Sequence, residues 1–377
     1  MDADMKLKYP VYVPYLTGNE KKYVNECLDS SWISSRGSFI ESFEKAFASY
    51  TGAAHASAVS NGTVALHLAL LALGIGKGDE VIVPTLTYVA SVNAIRYVDA
   101  TPVFIDSFSG DWQMNYEELE KKITSRTKAV IAVHLYGHPC EMNKITAICK
   151  KHGLYLIEDC AESIGSSFES KMTGTFGHIA AFSFYGNKTI TTGEGGMVMS
   201  NDAALIDKVN RLKMQGVDPM KRYWHDIIGY NYRMTNICAA IGLAQLEKIG
   251  EIVPKKIKIA GWYREQFEKN GIKCQETASN VVNTSWMFSI LCPDASLREE
   301  LMNRLLHESG IETRPVFYPA HTLPMYYNPA DTDYPSAIDI GSRGINLPSY
   351  PALSEEDVIA IATEVSACIH SMKSKIA

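Results

Sequence analysis

The chain has 377 residues, 46% of them hydrophobic and 21% charged, with a formal net charge of -6. That composition is ordinary for a globular protein and excludes a fibrous or disordered chain. The acidic balance and the lack of any Lys/Arg cluster exclude a nucleic-acid surface. The eight cysteines are scattered without a C-x-x-C pair, which predicts reduced, buried thiols and a cytoplasmic protein.

The N-terminal segment MDADMKLKYPVYVPYL lacks the apolar stretch of a signal peptide. Next, SNGTVALHLALLALGI opens with Ser60 and Asn61 as helix-capping candidates. Its apolar run is interrupted by His67 and is about half of the ~20 residues a membrane span needs, so it predicts a buried helix. IGKGDE (75–80) precedes a strand rather than following one, and is a turn, not a dinucleotide loop. EVIVPTLTY (80–88) predicts a strand and loop, ASVNAIRYV (90–98) a helix, and TPVFID (101–106) a second strand. The design repeats in TKAVIAVHLYG (127–137), a helix over 141–152, and LYLIEDCAE (154–162). AAFSFYG (180–186) and GGMVMS (195–200) complete the series.

Apolar strands separated by helices predict an α/β protein with a mostly parallel sheet covered on both faces. Ligands gather at the carboxyl ends of such strands, where Asp106, His134, Glu158, Asp159 and Ser183 fall. From about 240 the chain becomes one long helical pattern, broken or kinked near Pro254. SWMFSILC, HESGIETRPVFYP and a terminal helix from 354 then predict a smaller α+β domain. The expected division is a large domain over 1–251 and a small one over 252–377.

Three motifs carry chemistry. Ser60-Asn61-Gly62-Thr63 at a helix start offers backbone N–H groups to an anion. Capping alone needs the same residue types, so this motif leaves both readings open. LIEDCAES (156–163) sets Glu158, Asp159 and Glu162 at a strand end, either solvated or turned inward to hold a protonated heterocyclic nitrogen. FSFYGNKTITTGEGG (182–196) contains Lys188, and a lysine becomes a nucleophile when burial lowers its pKa. Ser183 offers a hydroxyl to a phosphate, and Gly193, Gly195 and Gly196 allow close backbone approach. Each motif is weak alone. Together they supply what pyridoxal 5'-phosphate needs: a Schiff-base lysine, a phosphate site and an acid for the ring nitrogen.

With PTLTYVAS, HLYGHPC and GYNYRMTNICAAIGLAQL, these segments resemble the nucleotide-sugar aminotransferases of the DegT/DnrJ/EryC1/StrS family over nearly the whole chain. The resemblance implies the aspartate aminotransferase-like fold (fold type I) with pyridoxal 5'-phosphate as cofactor. It implies Lys188 as catalytic lysine and proton shuttle, and Asp159 at the ring nitrogen. Gly62, Thr63 and Ser183 take the phosphate, Tyr88 stacks on the ring, and Asn231 reaches the cofactor of a neighbouring subunit in a homodimer with shared sites. The dimer can pair further into a tetramer. The amino donor implied is L-glutamate, leaving as 2-oxoglutarate.

WISSRG, RYWHDIIGYNYRMTNI and RPVFYPAHTLPMY are most similar to the branch acting on GDP-4-keto-6-deoxymannose. Glu162, where many members carry histidine, favours that GDP-linked sugar over a UDP- or dTDP-linked one. A dehydratase branch replaces the lysine by histidine, so retention of Lys188 implies amine transfer. Tyr223, Trp224 and Arg233, with Tyr318 and His321, are candidates to line the sugar-nucleotide site. His134 and His138 lack a third ligand at metal spacing, so no metal is expected. Trp112, Trp286 and, as the alternative to a site role, Trp224 read as packing residues.

Overall fold

A computed structural model describes residues 7–373; the first six residues of the N-terminal segment lie outside them. At its centre is a seven-stranded sheet. Its strands are β1 (His55–Val59), β2 (Glu80–Pro84), β3 (Thr101–Ile105), β4 (Thr127–Val133), β5 (Tyr155–Asp159), β8 (Ile179–Ser183) and β9 (Gly196–Ser200). Two short strands, β6 (Ser167–Phe168) and β7 (Lys171–Met172), leave the sheet as a side hairpin. The order across the sheet is β1-β9-β8-β5-β4-β2-β3, and β9 alone runs against its neighbours. β2, β8 and β9 are buried along their whole length, which is why they read as unbroken apolar runs.

The helix Gly62–Ala72 packs on β8 and β9 and is buried nearly all round, with Leu66, Leu68, Ala69 and Leu70 all out of solvent. Beyond the opposite face of the sheet, Phe47 meets Phe182 and Phe184 edge-on at 5.0 and 5.2 Å. Such ring geometry adds to the burial of apolar area. Among the described residues, no helix is long and apolar enough to cross a membrane.

The C-terminal part has its own core, in which Tyr263, Phe267, Phe288, Leu301, Ile345 and Val365 meet. β10 (Val281–Val282) joins the β6–β7 hairpin in a three-stranded sheet, while β11 (Phe288–Leu291), β12 (Arg314–Pro315) and β13 (Gly344–Leu347) form a third, antiparallel sheet. Tyr9 joins this core from the other end of the chain, its hydroxyl donating to Asp357 Oδ1 at 3.1 Å. The long helical pattern resolves into two helices, Asn236–Glu247 and Ile249–Lys269. The break lies at Lys248 rather than near Pro254, which sits inside the second helix. Proline's fixed φ suits a helix, and its missing N–H forfeits one bond without ending the element. That second helix runs straight through position 252.

Candidate active site

Parallel strands end side by side, so the segments that follow them surround a common space. Here it is a cleft of about 800 Å³. It is lined by Gly62 and Thr63 at the end of a helix, by Asp159 with Ser91, and by Lys188 with Glu162 and Trp286.

Asn61 caps the helix Gly62–Ala72, its Oδ1 accepting the Val64 N–H at 3.0 Å. Of the two capping candidates Asn61 is therefore the cap, while the Ser60 N–H donates to the Tyr232 carbonyl at 2.8 Å. The first-turn N–H groups of Gly62 and Thr63 have no helical acceptor, and the positive end of the helix dipole lies at the cleft. A Cβ on Gly62 would stand 2.8 Å from Ser183 Cβ, so the helix approaches the end of β8 as only glycine permits. Gly196 does the same from β9, where a Cβ would stand 2.5 Å from the Asn61 carbonyl oxygen.

Asp159 is the last residue of β5 and is 5% exposed. Its Oδ2 accepts the Ser91 hydroxyl at 2.7 Å and its Oδ1 the Ala161 N–H at 3.1 Å. Adjacent strand residues point to opposite faces, and Glu158 accordingly turns away. It accepts the N–H groups of Gly174, Phe176 and Gly177 at 2.7, 2.7 and 2.6 Å, and its Oε2 lies 3.1 Å from His134 Nε2. His134 Nδ1 accepts the Cys140 N–H at 3.0 Å, so Nε2 carries the proton and donates to Glu158. Cys160 lies close to both, but the carboxylate and the imidazole are already engaged by protein groups.

Lys188 follows β8 in a loop. Its Nζ is 3.5 Å from Glu162 Oε1 and 3.6 Å from the centroid of the Trp286 ring. Glu162 Oε2 accepts the Tyr136 N–H at 2.8 Å. Burial pushes the Lys188 amine below the ordinary lysine range, and the charges of Glu162 and Asp159 oppose that shift. Burial pushes the Glu162 carboxyl up, chiefly opposed by Lys188. Burial thus makes the neutral amine of Lys188 easier to reach, the state in which an amine is a nucleophile and a base.

Of the residues singled out in the sequence, Gly62, Thr63, Tyr88, Asp159, Glu162, Ser183 and Lys188 all line this cleft. Tyr88 stands at its rim, 56% exposed, with its ring 5.4 Å from that of Phe317. Asn231 and Arg233 are paired outside it, the Arg233 guanidinium donating to Asn231 Oδ1 at 3.2 Å. Tyr223 and Trp224 are exposed and also lie outside. The Tyr318 hydroxyl accepts from Arg298 at 3.0 Å. His321 is buried, its Nδ1 2.7 Å from Thr85 Oγ1 and its ring against Tyr334. Two neighbours of the key groups had no role in the sequence reading, Ser91 under Asp159 and Tyr12, whose hydroxyl donates to the Lys188 carbonyl at 2.8 Å, and Trp286, expected only to pack, lies over Lys188 in the cleft. Only the hydroxyls of PTLTYVAS hinted at the first.

A buried amine, a braced carboxylate and a helix-end cradle, set at the strand ends of this α/β sheet, define a pyridoxal phosphate-dependent aminotransferase. The chain belongs to the DegT/DnrJ/EryC1/StrS aminotransferase family, matching it over residues 14–366. It is 56% identical to the GDP-perosamine synthase of Escherichia coli O157:H7 over 361 residues, 96% of this chain and 98% of that one. The GDP-perosamine synthase of Vibrio cholerae is 50% identical over 362 residues, again 96% and 98% of the two chains. Among solved structures, the putative sugar aminotransferase Spr1654 of Streptococcus pneumoniae in its PMP form superposes with a TM-score of 0.92. That match is at 26% identity and covers 97% of this chain and 98% of that one.

Proposed function

We propose that the protein transfers an amino group from L-glutamate to C4 of GDP-4-keto-6-deoxy-D-mannose. The product is GDP-perosamine, a precursor for surface polysaccharide such as O-antigen. The observation that carries this reading is the convergence of Lys188, Asp159 and the Gly62–Ser183 cradle on one cleft. The choice of GDP rests on the likeness to the two synthases and on Glu162. The reading takes residues 1–251 as the cofactor-binding domain, 252–377 as the small domain, and the cytoplasm as the place of action.

The residues present fit pyridoxal 5'-phosphate. Gly62, Thr63 and Ser183 would hold its phosphate at a helix N-terminus whose close approach to β8 excludes any Cβ. Asp159, oriented by Ser91, would hold the protonated ring nitrogen, and Tyr88 would offer a flat face. When bound, the cofactor supplies an electron sink that makes a C–H bond beside the substrate nitrogen acidic. Lys188 Nζ would carry one proton between the substrate carbon and the cofactor, away from Cα of glutamate in the first half-reaction and onto C4 of the sugar in the second. Glu162 steers that amine from 3.5 Å. Asn231, exposed and outside its own chain's cleft, would serve the site of a second subunit in a homodimer, with pairing into tetramers as the further assembly.

The test is spectroscopic. Glutamate alone should convert the absorbance of the bound cofactor to that of its amine form, and Lys188→Ala should lose the conversion. Turnover by Lys188→Ala at the wild-type rate overturns the assignment. A UDP- or dTDP-linked 4-keto sugar reacting faster than the GDP sugar overturns the nucleotide.

A further inference from the structure

We propose that Trp286 is a positioning residue for Lys188, holding the lysine's backbone through its indole N–H and its ammonium against the ring face. The inference rests on the reading of Lys188 as the reacting amine. Trp286 reaches the site from the segment leading into β11 and is 5% exposed. Its Nε1 donates to the carbonyl of Asn187, the residue just before the lysine, at 2.6 Å. Its ring centroid lies 3.6 Å from Lys188 Nζ, within the ~6 Å over which a cation is drawn to a ring face.

The indole cannot turn away. Its backbone N–H donates to the Tyr136 carbonyl at 3.0 Å, and its ring lies parallel to that of Tyr136 at 6.0 Å. Its carbonyl accepts from Lys256 Nζ at 3.0 Å, a buried amine outside the cleft that also sits 5.3 Å from the Tyr12 ring. Tyr12 in turn donates to the Lys188 carbonyl. Two consecutive carbonyls, Asn187 and Lys188, are thus gripped by two aromatic residues that share one anchor. The lysine's Nζ is left between a π face and the Glu162 carboxylate, both of which favour the charged amine against the burial that disfavours it.

A space-filling role predicts that an apolar residue of similar size serves as well. A positioning role predicts a changed amine. The experiment labels cofactor-free wild type, Trp286→Phe and Trp286→Leu with trace acetic anhydride across pH and follows the Lys188 peptide by mass spectrometry. The titration midpoint, unlike the absolute rate, is independent of accessibility. Loss of the π face in Trp286→Leu should lower the midpoint by roughly 0.5 to 1.5 pH units, a three- to thirty-fold change in proton affinity. Trp286→Phe should shift it the same way by less, since a smaller ring remains. Midpoints equal to wild type in whichever variant folds overturn the inference. Because neither cofactor nor substrate is present, that result is separate from a failure of transamination in the wild type, which would overturn the proposed function instead.

Discussion

Lys188 Nζ and Glu162 Oε1 stand 3.5 Å apart, both nearly excluded from water, and each is the largest charge opposing the other's burial. Glu162 raises the proton affinity of Lys188 while burial lowers it. Removing the carboxylate charge leaves burial less opposed, so the amine becomes neutral at lower pH. Glu162→Gln keeps an acceptor for the Tyr136 N–H and should move the acid limb of the glutamate half-reaction down by about one pH unit. Stopped-flow rates across pH check it, and an upward shift contradicts the pairing.

The contact between Gly62 and Ser183 admits no side chain on the glycine. Gly62→Ala should therefore push the helix end off β8 and weaken cofactor binding at least tenfold, about 1.4 kcal/mol. Adding Ser183→Gly restores the space without the hydroxyl, so affinity should recover part of the way. Titration of cofactor-free protein by fluorescence quenching reads both.

Ser91 supplies the hydroxyl that Asp159 Oδ2 accepts. Ser91→Ala leaves a buried carboxylate oxygen without that donor, a loss of about 1–2 kcal/mol. The expected outcome is a lower thermal midpoint in the cofactor-free protein and cofactor affinity reduced several-fold. Calorimetry and the same fluorescence titration measure these two effects.

Burial pushes the Lys256 amine down to about 7. Between there and the ordinary lysine value, the unfolded chain binds a proton that the folded chain does not, so this group makes stability rise with pH, by up to about 1.4 kcal/mol per unit. Lys256→Met removes the titration. Since thiols and phenols also ionise in that window, the quantity to follow is the difference between wild type and variant in urea unfolding. Wild type should gain on Lys256→Met from pH 7 to 9. A difference flat in pH contradicts the shift.

Much of this site was legible in the chain itself. Gly62 and Thr63 sit at the start of a predicted helix, and Ser183 and Lys188 at and beyond the end of a predicted strand, and strand ends of a parallel sheet converge whatever else the fold does. The strands themselves were readable because β2, β8 and β9 are buried on both faces, leaving apolar runs with no polar alternation.

Contacts between distant segments were decided only by tertiary structure. Of the neighbouring acids Glu158 and Asp159, the direction of β5 and the pleat of the sheet turn one to the loop at Gly174–Gly177 and the other to the cleft. Ser91, Tyr12 and Trp286 meet their partners across 68, 176 and 99 residues of chain, a separation over which local pattern carries no signal. His321, polar in sequence, is folded into the core and bonded to Thr85. Lys188 was visible as a candidate reactive lysine from its motif. The carboxylate beside it, the indole above it and the loss of water around it, which together set how that amine behaves, exist only once the chain has closed on itself.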